Sequence, residues 1–180
     1  FINALKARYY LYRKDYANAE TFATAALTGL PLSNAAAYNN VWNDVAQGEI
    51  IFAISRPAGG TWSNIASTWY FNTTNATGGA FLEMGRNLFN LYDAHPTDVR
   101  RGTYIDVLTA KINSGYATDV NYLINDILPI DKYPGKAPNL NQPLRNDLKV
   151  FRSSEMALII AECKVGGSTP NLIDAAARVQ

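Results

Sequence analysis

The residues best suited to chemistry stand close together in the middle of the chain. Trp62, Trp69, Tyr70 and Phe71 lie among Gly, Ser, Thr and Asn in the stretch 56–85, interleaved with Asn64, Asn72 and Asn75. An aromatic plane is a flat, polarisable surface that matches the apolar C–H face of a sugar ring. An amide beside it offers donors and an acceptor together, which suits hydroxyls. Trp62, Asn64, Trp69, Tyr70 and Asn72 are therefore the candidate ligand-binding set. A second reading stands beside it, since aromatics in a loop of this length also pin the loop to a core. Asn72-Thr73-Thr74 and Asn75-Ala76-Thr77 fit the N-glycosylation pattern, which short polar loops often produce by composition alone.

The rest of the chain offers little for catalysis. His95 is the single histidine, so neither a metal-ligand set nor a catalytic triad can be assembled around imidazoles. No GxSxG, HExxH or P-loop spacing occurs. Glu155 and Glu162 lie on the last long helical pattern, and the spacing predicts an i,i+3 pair between Arg152 and Glu155. Acid/base work needs a second positioned group in a cleft, and glycoside hydrolysis needs two carboxylates facing across one. The spacing places no such pair. Asp98, Arg100 and Arg101 read as a structural cluster, an Asp at a helix start with Arg on local acids or carbonyls; a charged ligand contact is the other reading. Cys163 falls on an apolar helix stripe and reads as a buried, inert thiol. The expectation is a non-enzyme without metal or cofactor.

Composition narrows the class. With 180 residues, 48% hydrophobic, the chain can bury a core, and a net charge of +1 with 17% charged residues lacks the basic stripe of a nucleic-acid protein. No apolar run approaches the roughly 20 residues that span a bilayer. The lone cysteine forms no intrachain disulfide. Aromatics make up 12% of the chain, which suits flat ligands and helix packing alike. The ends read as cut: Phe1 opens directly on helical periodicity, and 171–180 stops inside an amphipathic pattern, so apolar stripes are expected to be exposed at both ends.

These side chains need elements to hold them. The spacing predicts helices over about 3–14 and 16–28, closed by Gly29 and Pro31. Ala7, Ala19, Ala23 and Ala26, with Tyr10 and Tyr16 between them and Pro31 last, follow the tetratricopeptide order. Small residues let two helix backbones approach, and one such pair must stack on further helices. A short polar stretch follows around Tyr38 and Trp42. Residues 49–55, EIIFAIS, read as a strand that needs a partner. The region 56–143 is a loop-rich lobe. Within it, 86–94 reads as a short helix with Leu88, Leu91 and Tyr92 on one face, 98–101 as the start of an ordered segment, 103–133 as short strands or turns, and 128–143 as a long loop. The span 150–180 reads as a second helix pair: 151–165, with Met156, Ile159, Ile160 and Cys163 on one stripe, then 171–180 after Gly166-Gly167.

Taken in order, these pieces resemble the SusD/RagB family of outer-membrane nutrient-binding lipoproteins of Bacteroidota. The matching stretches are ALKARYYLYRKDYANAETFATAAL at 4–27, Tyr38 with Trp42, GEIIFAIS at 48–55, LYDAHPTDVRR at 91–101, KYPG at 132–135 and VFRSSEMALIIAECKVGG at 150–167. The resemblance implies one SusD-like domain fragment over 1–180. Its fold would be mainly α, with tetratricopeptide-like helix pairs, an irregular loop-rich lobe and a little β. It also implies a protein on the outer-membrane surface, held by a lipid anchor outside this sequence, that binds oligosaccharide or peptide and delivers it to a SusC-like TonB-dependent transporter. It fixes no ligand aromatics at set positions. The alternative is a tetratricopeptide-type adaptor or peptide-uptake protein binding a peptide or protein partner. Against an adaptor, a regular solenoid needs at least about three consecutive repeats.

Overall fold

Alanine spacing decides how the chain begins. The computed structural model describes residues 1–56, 71–72, 77–78, 82–105, 110–134 and 146–179, with the backbone alone at 71–72 and 77–78. In chain order the elements are α1 (Ile2–Tyr12), α2 (Tyr16–Leu27), α3 (Ala35–Trp42), β1 (Ile50–Ile54), β2 (Phe71–Asn72), β3 (Thr77–Gly78), α4 (Arg86–Ala94), α5 (Arg101–Tyr104), α6 (Tyr122–Asn125), β4 (Leu148–Arg152), α7 (Ser153–Gly166) and α8 (Leu172–Ala177). Among the described residues the fold is thus mainly helical with a little β. No described helix is long and apolar enough to cross a membrane. Two compact units share the chain: 1–33, 47–55 and 147–180 form the first, and 34–46 with 56–146 form the second.

In the first unit, α1 and α2 meet along Ala4, Ala7, Ala19, Ala23 and Ala26, all buried. The turn between them puts Lys14 in the left-handed region, at φ 58. Asp15 then caps α2, its carboxylate accepting from the Asn18 amide at 3.2 Å. Tyr10 and Phe22 stack beside the seam with ring centroids 5.5 Å apart. α2 packs on α7 as well as on α1. Met156, Ile159, Ile160 and Cys163 of α7 join the alanines in one core, and each fully buried Ile or Met contributes roughly 1.5–3 kcal/mol. Ile2, Leu5, Tyr9 and Tyr12 form an exposed stripe on α1.

The start of the last helical region departs from the sequence reading. Residues 148–152 form strand β4, antiparallel to β1, with Phe52 opposite Phe151 and Ile54 opposite Leu148. This is the partner the isolated apolar strand required. Val150 and Phe151 favour extension, and pairing with β1 overrides the segment's continuity with the helix behind it. The expected Arg152–Glu155 pair is absent for the same reason. Arg152 has extended backbone, φ −131 and ψ 155, so the helical i,i+3 spacing does not apply to it. Glu155 instead takes a two-point contact from Arg8, at 2.6 and 2.7 Å, and Arg152 reaches Glu49 at 2.8 Å.

Cys163 is buried as the stripe predicted, and burial, reinforced by Glu20 and Glu162, pushes its thiol up to about 11. Since the thiolate is the nucleophile, alkylation at pH 8 is expected to run roughly 100-fold slower in the folded protein than in urea. Mass spectrometry after timed iodoacetamide quenches measures this; equal rates in the two states would mean an accessible thiol.

In the second unit, Asn34 caps α3 by accepting from the Ala37 amide at 2.9 Å. The region read as a polar stretch is therefore a helix, and it buries Tyr38, Val41 and Trp42. The periodicity was masked by the polar residues on its other face. α4 lies where the sequence placed it, but its buried side chains are Phe89 and Tyr92, packed with Met84, Ile105 and Leu128. Leu88 and Leu91 are exposed. β2 and β3 pair antiparallel, Phe71 opposite Gly78. The bridges Ile105–Ile130 and Lys111–Ile127, with α6 between Lys111 and Ile130 in sequence, realise the short strands and turns read over 103–133.

Candidate functional site

Trp62, Asn64, Trp69 and Tyr70 lie outside the described residues, and Asn72 belongs to β2, where the backbone alone is described. The described part of the same unit supplies two aromatic assemblies. One is buried and one is open.

The buried assembly starts from α3, whose helical spacing puts Tyr38 and Trp42 one turn apart. The Tyr38 and Tyr104 hydroxyls hydrogen-bond. Trp42 meets Tyr104 edge-on at 5.5 Å and Tyr133 edge-on at 4.9 Å. The Lys132 ammonium lies 4.6 Å from the Trp42 ring centre and 4.9 Å from that of Tyr104, a favourable cation–π arrangement. Tyr133 sits at φ 67, a costly backbone conformation for an aromatic residue that persists only where the surroundings over-determine it. The Lys132 and Tyr133 contacts do so here. Beneath, the buried Asn146 side chain donates to the Trp42 carbonyl and to Asp44, both at 2.8 Å. Trp42 is only 1% exposed and Tyr38 5%, while Tyr104, Lys132 and Tyr133 are half-buried, so the Trp42 ring acts in packing.

The open assembly is the loop 113–126. The Asp119 carboxylate accepts from the Asn113 side chain at 2.7 Å, the Asn125 side chain at 2.8 Å and the Asn121 amide at 2.7 Å. Those bonds, Asn125's foremost, hold its carboxyl below the usual carboxylate range, so it is ionised at neutral pH and loses the bonded charge only as the pH falls through that lowered value. Asp126 accepts from the Asn113 amide at 2.9 Å and from Arg86 at 2.7 Å. The Arg86 guanidinium lies 4.3 Å from the Tyr116 ring centre, and Asn90 donates to the Tyr116 hydroxyl at 3.3 Å. Tyr116, Ala117, Thr118, Asp119, Val120 and Tyr122 border a shallow depression open to solvent. Sequence reasoning passed over these tyrosines. The signal available was the Asn113, Asp119 and Asn125 spacing, which a single sequence does not distinguish from an ordinary polar turn.

Asp98 accepts from the Arg100 amide at 2.9 Å and from its guanidinium at 2.6 Å, while Arg101 reaches Asp93 at 2.8 Å. The Arg100 contact holds the Asp98 carboxyl low. The cluster is a local brace with its arginines on local acids, but the expected Asp cap is absent: α5 has no side-chain cap bond. Asp98 closes the turn before α5, whose N-cap is Arg100. Among the described residues no group of His, Cys, Asp and Glu is placed to hold a metal ion.

A comparison with protein-family models found no match, and a comparison with curated proteins found none. Among solved structures, a SusD superfamily protein from Bacteroides thetaiotaomicron VPI-5482 is similar at 25% identity with a TM-score of 0.71. The similarity covers 98% of this chain and 38% of that one, so the chain spans well under half the length of that protein. The likeness fits the fold described above, which among the described residues is mainly helical with two small two-stranded sheets. The chain is thus SusD-like along 98% of its length.

Proposed function

We propose that this chain is part of a non-enzymatic glycan-binding protein of the bacterial outer-membrane surface, which delivers oligosaccharide to a SusC-like TonB-dependent transporter. The observation that carries the reading is the SusD-like fold over 98% of the chain. In this reading Trp62, Trp69 and Tyr70 stack on sugar rings, and Asn64 and Asn72 bond hydroxyls. A lipid anchor outside this sequence holds the protein at the membrane. Proximity to the transporter offsets a modest affinity by raising the local ligand concentration.

Fluorescence titration of the full-length protein with oligosaccharide and peptide panels tests this. Replacing Trp62 or Trp69 by alanine is expected to weaken the best glycan by roughly tenfold each, the loss of one stacked ring. Trp42, which is buried, supplies a background emission that no ligand should quench. Saturable binding of peptides with no response to any glycan would replace glycan capture by the peptide-uptake or adaptor reading. Glycan binding that survives both substitutions would keep the function and move the site.

A further inference from the structure

We draw no further inference here: the strongest candidate, the surface patch of Ile112, Val120, Leu123 and Ile124 on the loop that carries α6, is an exposed apolar face, and nothing in the structure shows what covers it.

Discussion

Replacing Phe151 by alanine is expected to destabilise the first unit by roughly 3–5 kcal/mol, the cost of a large side chain removed from a closed core. Phe151 is 2% exposed and belongs to the core formed by the α1–α2 alanines and the α7 stripe. The Arg8 guanidinium lies 3.9 Å from its ring centre, and the Phe1 ring stands 5.7 Å away. Arg8 also bonds the Val150 carbonyl and Glu155, so it is fixed by other bonds and cannot collapse freely into the void. Thermal unfolding followed by circular dichroism should show a drop of about 10 °C, given the usual conversion for a domain of this size. Phe52, opposite Phe151 on β1, is 36% exposed. Its alanine variant should cost only about 1–2 kcal/mol, because less area leaves water on folding. Equal losses at the two positions would show that Phe151 acts through strand pairing and not through the core.

This contrast marks what could be read from the residues alone. The first helix pair was legible because Ala7, Ala19, Ala23 and Ala26 stand at helical spacing, where small residues let two helix backbones approach; Ala4 joins them only in the fold. Strand β1 was legible from Ile50 to Ile54 for a similar reason. Its partner was not. Residues Leu148 to Arg152 run without a break into an amphipathic helix, and no Gly or Pro separates them from Ser153. Only the distant strand decides where extension stops. The ion pairs were hidden likewise, since Arg8–Glu155 and Glu49–Arg152 join segments far apart in sequence. In the second unit, Leu88 and Leu91 looked like the inner face of α4, but Phe89 is bulkier and wins the core with Tyr92. The aromatics of 62–70 drew attention through composition. Tyr116 and Tyr122 escaped it, because what sets them apart is the hydrogen-bonded brace around Asp119, which exists only once the loop is folded.

The second large effect is expected at Glu49, which a sequence reading passes over as the polar end of a strand. Its side chain is 2% exposed and accepts from Arg152 at 2.8 Å, the Ser154 hydroxyl at 3.0 Å and the Ser33 amide at 3.2 Å. Its backbone carbonyl accepts from the Ser153 amide at 2.9 Å, while the Ser153 hydroxyl bonds the Leu30 carbonyl at 2.8 Å. One carboxylate thus ties the turn after α2, the start of β1 and the β4–α7 junction together. A buried charge is stable only when paired and fully bonded, and removing one partner strands the rest. Glu49→Ala should therefore cost about 3 kcal/mol. That is the low end for a broken buried pair, because the Arg152 side chain is 24% exposed and water compensates it in part. Glu49→Gln keeps one acceptor oxygen and should cost less, about 1–2 kcal/mol. Urea denaturation of the single variants and of Glu49→Ala/Arg152→Met separates the causes. If the lost Glu49–Arg152 pairing dominates, the double variant is more stable than Glu49→Ala alone, because methionine removes the charge whose bond to Glu49 was broken. If the two losses simply add, the Ser33 and Ser154 bonds carry the stabilisation, and the ion pair between β1 and β4 contributes little beyond them.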